Sequence, residues 1–212
     1  MMPSPSIPRP MNVAVVRYNA GNIRSVENAL RRIGVQPLVT DDAAELRAAD
    51  CVIFPGQGEA ATTMAYLRHT GLDAVVRGLT QPVLGICIGQ QLLCARSDEG
   101  NTPCLGVFAE AEVRHFSSVW GEAVKIPHIG WNTVETLQSP LFRGIDEGAF
   151  VYFIHSYCVP LSPYTIARTE YGGVAFSSAM RRGNFYAVQF HPEKSGAVGE
   201  RLLHNFIYHC HD

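Results

Sequence analysis

Cys87 stands between two glycines in GICIGQQLL, residues 85–93, directly after the apolar run PVLGI. A cysteine buried in a strand needs no function. Here, however, a strand must turn sharply and continue as a helix. Gly85 and Gly89 would permit the close strand–helix packing of a nucleophile elbow, which lifts its central side chain above the sheet edge. The helix N-terminus behind such a turn favours negative charge, and so favours the reactive thiolate. Taken alone, the motif fits a packing cysteine equally well. A nucleophile also needs a base, and the base needs a group that orients it. QFHPEKS, residues 189–195, offers both. Strand alternation would put His191 and Glu193 on one side of an extended segment. Pro192 between them keeps His191 out of helical geometry. A rigid His-x-Glu pair can fix an imidazole tautomer and steady the imidazolium that forms. Elbow and pair together make a chance reading of either one hard to sustain.

A third element is FPGQGEA, residues 54–60, where a strand end opens into a glycine-rich turn. Backbone N–H groups at Gly56 and Gln57, with that of Ile88 after the nucleophile, could stabilise the oxyanion of an acyl transfer. In isolation PGQG is an ordinary tight turn. Two other groupings read as structural. HNFIYHCHD, residues 204–212, gathers three histidines and a cysteine, but lacks the ligand spacings of structural zinc sites. Tyr152, Phe153 and Tyr157 on a strand read as core.

The elements that must hold these residues alternate strand and helix through the first half. MNVAVVRYN, QPLVT, CVIF and PVLGI read as strands. IRSVENALRRIG, DDAAELRAA, AATTMAYLRHTG, LDAVVRGL and GQQLLCARS read as helices. That alternation implies an α/β fold with a mostly parallel central sheet flanked by helices. After about residue 100 the strands LGVFAEAEVRHF, VYFIHSYCV and YTIARTEY follow with little helix between them. VAFSSAM, RRGN and FYAVQF then read as a hairpin, so additional antiparallel strands belong to the C-terminal half. GAVGERLLHNFIYHC closes the chain as a helix. The three chemical motifs would all lie at C-terminal strand ends, where open α/β sheets place their sites.

The totals bound the possibilities. A chain of 212 residues suits one large domain, and residues 11–212 show no linker that would divide them. MMPSPSIPRP, residues 1–10, reads as a disordered extension without the apolar core of a secretory signal, and Met11 is an alternative start. The net charge of −2 argues against a nucleic-acid footprint, and no apolar run reaches the length of a membrane span. Six cysteines without CxxC spacing suit reduced thiols and a cytoplasmic protein. No metal or cofactor is called for by these patterns.

Across residues 11–210, cysteine elbow, distant His-x-Glu and upstream Pro-Gly-x-Gly resemble the class I triad glutamine amidotransferases. GNIRSV, PHIGWN and FIHSY look like the branch serving as glutaminase subunits of imidazole glycerol phosphate synthases. That likeness implies a class I amidotransferase fold, with Cys87 as nucleophile, His191 as general base and acid, and Glu193 as its orienter. It implies L-glutamine as substrate, held by Gln91, Glu99, Ser156 and the Gly56 backbone. It also implies gating at Gly56, Gln57 and Ile88. The partner implied is a separate cyclase of (β/α)₈-barrel type, joined in a heterodimer and met by Asn22, Arg24, Trp131, Tyr157 and Lys194. Ammonia channelled to it would turn PRFAR into imidazole glycerol phosphate and AICAR in histidine biosynthesis. Nothing in the chain itself offers a phosphate-cradling loop for that second reaction. The family's usual PGVG, GICLGMQ and DYGxGN are here PGQG, GICIGQQ and YNAGN, with Arg17 in the acidic position.

Two other readings compete. A cysteine peptidase would use the elbow and a histidine without requiring PHIGWN or GNIRSV. A non-catalytic regulatory module would have lost a triad residue, and Cys87, His191 and Glu193 are all present.

Overall fold

A computed structural model describes residues 11–19, 22–120 and 125–211. The extension expected at residues 1–10, and Gly21 of GNIRSV, lie outside the described residues. In chain order the elements are β1 (Val13–Val16), α1 (Ile23–Arg32), β2 (Leu38–Thr40), α2 (Ala43–Ala48), β3 (Cys51–Phe54), α3 (Ala60–Thr70) and α4 (Leu72–Arg77). There follow β4 (Val83–Ile86), α5 (Ile88–Leu93), β5 (Cys94–Ser97), β6 (Thr102–Pro103), β7 (Phe108–His115) and α6 (Phe116–Trp120). The chain continues through β8 (His128–Val134), β9 (Ala149–His155), β10 (Tyr157–Cys158), β11 (Thr165–Tyr171), β12 (Val174–Arg182), β13 (Phe185–Val188) and α7 (Gly196–His209).

The central sheet has seven strands in the order β11-β12-β13-β4-β3-β1-β2. From β13 to β2 every pair is parallel, while β11-β12 and β12-β13 are antiparallel. The α/β expectation and the C-terminal hairpin are both met. β1, β3, β4 and β13 are buried along their whole length, because helices cover both faces. On one face Val13, Val15, Cys51 and Ile53 meet α1, α7 and β9. On the other, Ala14, Val16, Val52 and Phe54 meet α2, α3, α4, α5 and β7. No helix of the described residues is long and apolar enough to cross a membrane.

Three segments differ from the sequence reading. VYFIHSYCV, read as one strand, breaks at Ser156 into β9 and β10, which pair in different sheets. The helix expected through GQQLLCARS ends at Leu93, and Cys94–Ser97 is strand. The Leu105 N–H takes the Leu92 carbonyl at 2.8 Å and the Gly106 N–H takes that of Cys94 at 2.7 Å, so the acceptors of the next helical turn are already bonded. PHIGWN, not assigned to an element, forms most of β8 and pairs with β9 as a separate two-stranded ribbon. Its alternation is inverted: His128 is buried while Ile129 and Trp131 are 56% and 55% exposed. An apolar-inside pattern search passes over such a strand.

Candidate active site

Because β1, β3, β4 and β13 run parallel, their C-terminal ends share one sheet edge, and the chemical motifs meet there. At the end of β4, Cys87 has φ 53° and ψ −108°, a conformation L residues avoid unless the surroundings impose it. The surroundings are tight. The Cys87 N–H donates to the Val188 carbonyl at the end of β13 (2.8 Å), and the Gln90 N–H to the Cys87 carbonyl (3.0 Å). A Cβ on Gly89 would lie 2.2 Å from the Phe54 carbonyl oxygen, and one on Gly85 would lie 2.8 Å from Leu93 Cδ1. The two glycines thus let α5 sit directly on β3 and β4, as the elbow reading required. Cys87 is 8% exposed. Its Sγ lies 3.9 Å from the Ile154 carbonyl oxygen and accepts from Gln189 Nε2 at 3.6 Å.

His191 continues from β13. Its N–H donates to the Tyr152 carbonyl of β9 at 2.9 Å, and its carbonyl accepts from Ser195 Oγ at 2.7 Å. Ser195 Oγ in turn accepts from the Tyr152 N–H at 3.0 Å, closing a clamp between the two segments. Nδ1 of His191 lies 2.6 Å from Glu193 Oε1, with both side chains buried. Strand alternation does not bring them together. His191 is the last extended residue before a 3-10 turn, Pro192–Lys194, and that turn folds the Glu193 carboxylate back onto the ring. Asn22, ahead of α1, also donates through Nδ2 to Glu193 Oε1. Burial opposes a charged His191, but a Cys87 thiolate beside it and the Glu193 carboxylate outweigh that and push the imidazole up to about 10. His191 Nε2 makes no hydrogen bond among the described residues, which leaves it for a reacting group.

At the end of β3, Gly56 is buried in a space that excludes any side chain: a Cβ would lie 1.9 Å from Ile88 Cγ2. Gly58, with φ 147°, occupies backbone space that only glycine enters readily. The two glycines flanking Gln57 therefore serve different ends, one close approach and one conformational freedom. Tyr18, just beyond β1, donates its hydroxyl to the Pro55 carbonyl and holds the start of this turn.

Gln57, Gly58, Cys87, Ile88, Gln91, Glu99, Ile154, His155, Ser156 and Tyr157 line a cleft of about 370 Å³, room for a small polar molecule. Of the substrate and oxyanion residues expected from the sequence, all except Gly56 are among them, and Gly56 lies directly behind Ile88. Burial pushes the Glu99 carboxyl up, while the Ala60 N–H, 2.7 Å from its Oε2, favours the charged form. Gln91 Nε2 donates to the Tyr157 carbonyl (3.0 Å) and to Gln189 Oε1 (2.9 Å). Of the residues expected at a partner, Arg24 and Trp131 are exposed, and Lys194 Nζ lies over the Tyr152 ring at 5.8 Å. Trp131 meets the same ring edge-on. Tyr18, Ser195, His155 and Gln189 also stand at the site, without a sequence motif of their own that marks them. The last stands inside the QFHPE motif and is the most accessible to sequence reading. Among the described residues no three metal-ligating side chains gather, and His211 at the C-terminus turns to the Ile207 carbonyl at 2.6 Å.

A cysteine on an elbow, a carboxylate-held histidine beside it and a glycine turn across the cleft can carry out acyl transfer through a thioester. Residues 14–210 match the family described as glutamine amidotransferase class-I. The chain belongs to the class-I glutamine amidotransferase family. Among other amidotransferases, imidazole glycerol phosphate synthase subunit HisH of Bacteroides fragilis is 55% identical over 197 residues, covering 93% of this chain and 99% of that one. The protein of the same name from Escherichia coli is 42% identical, again covering 93% and 99%. A solved structure described as a GMP synthase protein from Thermoplasma acidophilum matches with a TM-score of 0.70 at 22% identity, covering 94% of each chain. Another, described as glutamine amidotransferase, matches at 0.69 and 25% identity, covering 92% of this chain and 97% of that one. The elbow, the antiparallel C-terminal strands and the cleft are thus set in the amidotransferase fold.

Proposed function

We propose that this chain is the glutaminase subunit of an imidazole glycerol phosphate synthase in histidine biosynthesis. The observation that carries the chemistry is the buried His191–Glu193 pair set beside Cys87, which itself lines the cleft. The Cys87 thiolate attacks the side-chain carbonyl carbon of L-glutamine. The oxyanion that forms is met by backbone N–H groups of the Gly56–Gln57 turn and of Ile88. The imidazolium of His191 gives its proton to the leaving nitrogen, the C–N bond breaks, and ammonia departs from a thioester. Water then attacks the thioester as His191 takes its proton, and glutamate and the thiolate are released. Glu193, braced by Asn22, stabilises the charged ring throughout. Gln91, Glu99 and Ser156 hold the substrate, the Glu99 carboxylate facing its ammonium group.

The ammonia passes to a cyclase, a separate chain of (β/α)₈-barrel type in a heterodimer. Transfer within the complex is needed because free ammonia is mostly protonated in water. The outer face of the β8–β9 ribbon suits that docking. Ile129, Trp131 and Phe150 are each more than half exposed, and strand register puts them on one face with Tyr152 and Ile154. Ile154 lines the cleft, so the apolar face runs to its mouth. Lys194 and Arg24 stand nearby in sequence to the triad and to Asn22.

Cys87→Ala should abolish glutamine-dependent synthesis by the complex while leaving synthesis from added ammonia intact. Glutamine-dependent turnover surviving in that variant would overturn the assignment. A glutamine-like diazo-ketone should also label Cys87 alone. Burial pushes the thiols of Cys51 and Cys104 up to about 12 and those of Cys94 and Cys158 well above the usual range, so they are poor nucleophiles. Mass spectrometry finding the label chiefly on any other cysteine would count equally against it.

A further inference from the structure

Gln189 is fully buried two residues before His191, and none of the roles above uses it. Its amide lies between two groups of the site: Oε1 is 2.9 Å from Gln91 Nε2, and Nε2 is 3.6 Å from Cys87 Sγ. The direction in which that amide points follows from an anchor outside it. The Tyr157 carbonyl oxygen, 3.0 Å from Gln91, can only accept a hydrogen bond, so the Gln91 atom facing it is the NH₂. The same nitrogen faces Gln189, whose atom at that contact must then be its oxygen. What remains for the sulfur is the Gln189 NH₂. The order is therefore Tyr157 carbonyl, Gln91, Gln189, Cys87, with each donor fixed by the acceptor before it.

The sulfur has need of such a group. Cys87 is 8% exposed, so water solvates a thiolate there only sparingly. On another side lies the Ile154 carbonyl oxygen at 3.9 Å, an acceptor that repels a thiolate. We infer that Gln189 is a positioning residue of the nucleophile: its amide N–H holds the Cys87 thiolate toward the cleft, in an orientation imposed by Gln91. This inference rests on Cys87 being the nucleophile. Unlike His191, Gln189 has no proton to give away during the cycle. It therefore serves the thiolate both when it attacks and when it leaves the thioester. It also ties the residue expected to hold the substrate amide to the sulfur that attacks it.

The test is the pH profile of Cys87 alkylation by iodoacetamide in the full chain, followed by mass spectrometry, for wild type, Gln189→Met and Gln189→Glu. Methionine keeps the volume without the donor, and glutamate keeps the shape and puts an acceptor where the donor was. The midpoint should rise on the order of one pH unit in Gln189→Met and further in Gln189→Glu. Glutamate release by the cyclase complex should fall roughly tenfold in kcat, with little change in KM for Gln189→Glu, which keeps the oxygen that accepts from Gln91. A midpoint unmoved in folded variants overturns the inference. Should the variants not fold, the wild-type side-chain amide resonance of Gln189 decides: it should shift with pH at the alkylation midpoint, and one blind to that midpoint overturns the inference. A wild-type Cys87 that is unreactive, or dispensable as Cys87→Ala, would instead strike the nucleophile reading itself.

Discussion

Gly56 concentrates the demands of the site in one missing methyl group. A Cβ there would lie 1.9 Å from Ile88 Cγ2 and 2.5 Å from the Tyr18 hydroxyl, the group that holds Pro55. Gly56→Ala must therefore push the turn away from the residue that follows the nucleophile. Overpacking of this kind costs about 1–3 kcal/mol, and misplacing one oxyanion donor costs about 10²–10³ in rate. Glutamate release should fall by at least that rate factor while thermal unfolding stays cooperative, and an active Gly56→Ala enzyme would remove the turn from the mechanism. Glu193 makes the complementary case. It does not line the cleft but holds the ring of His191 at 2.6 Å. Glu193→Gln should lower kcat roughly 10²–10⁴-fold and leave KM nearly unchanged, as expected when a histidine loses the carboxylate that orients it. Cys87, His191 and Glu193 were legible because each sits in a local motif whose neighbours announce the turn. Tyr18 was not, because it reaches the site only through the folded sheet edge, and Asn22, expected at the partner, is brought to Glu193 by the same edge. Asn22 meets Glu193 across 171 positions of sequence.

Among the elements, the β8–β9 ribbon departs furthest from simple patterning. Its inner face carries two histidines in contact, His128 Nδ1 lying 3.0 Å from His155 Nε2, under the rings of Phe116, Phe153, Tyr171 and Phe176. Burial pushes His128 down to about 4 and His155 down to about 3, the latter helped by its neighbour. Both are neutral in the folded protein at pH 7, whereas an unfolded histidine takes up a proton near 6.5. Between about pH 6.5 and 4 the unfolded chain therefore binds more protons, and stability falls as pH falls. Above that window the two histidines contribute no pH dependence. For His128 the loss amounts to on the order of 3 kcal/mol. His128→Phe keeps the stack between Phe153 and Tyr171 and removes the titrating group. Urea unfolding from pH 7 to 4 should show a shallower acid limb in that variant, by about one proton. Superimposable slopes would mean that His128 is charged in the fold. The same inversion explains what the sequence concealed. Alternating strands and helices up to residue 86 were readable because the apolar runs of β1, β3 and β4 are buried on both faces. β8 was not, since its polar residue His128 points inward and its apolar residues outward. The short strand β5 was hidden for another reason, its backbone partners arriving from β6, from β7 and from the loop between them.

On the scale of the whole molecule, the parallel strands bring the cleft to one edge of the sheet, and the ribbon's apolar face borders that cleft. The proposed catalytic groups and the proposed cyclase surface therefore meet at β9: Tyr152 accepts from the His191 N–H, faces Trp131 on its outer side and lies beneath Lys194. A partner pressing on Trp131 and Tyr152 acts on the strand that clamps the base. This continuity gives a physical route for a glutaminase to stay slow until its acceptor is bound, which prevents glutamine from being hydrolysed to no purpose. Trp131 is 55% exposed in the free chain, so Trp131→Ala removes little that the fold depends on. A buried tryptophan at the centre of an interface is commonly worth about 2 kcal/mol or more, a roughly 30-fold weaker Kd. Titrating cyclase into Trp131→Ala, with its nucleotide ligand saturating, should shift half-stimulation of glutamate release to at least that higher concentration. The maximal rate should return once the complex is saturated, since the triad itself is untouched. An unshifted titration would place the cyclase on another face of the molecule. A shifted titration whose plateau stays low would show that Trp131 carries the signal to β9 as well as the affinity.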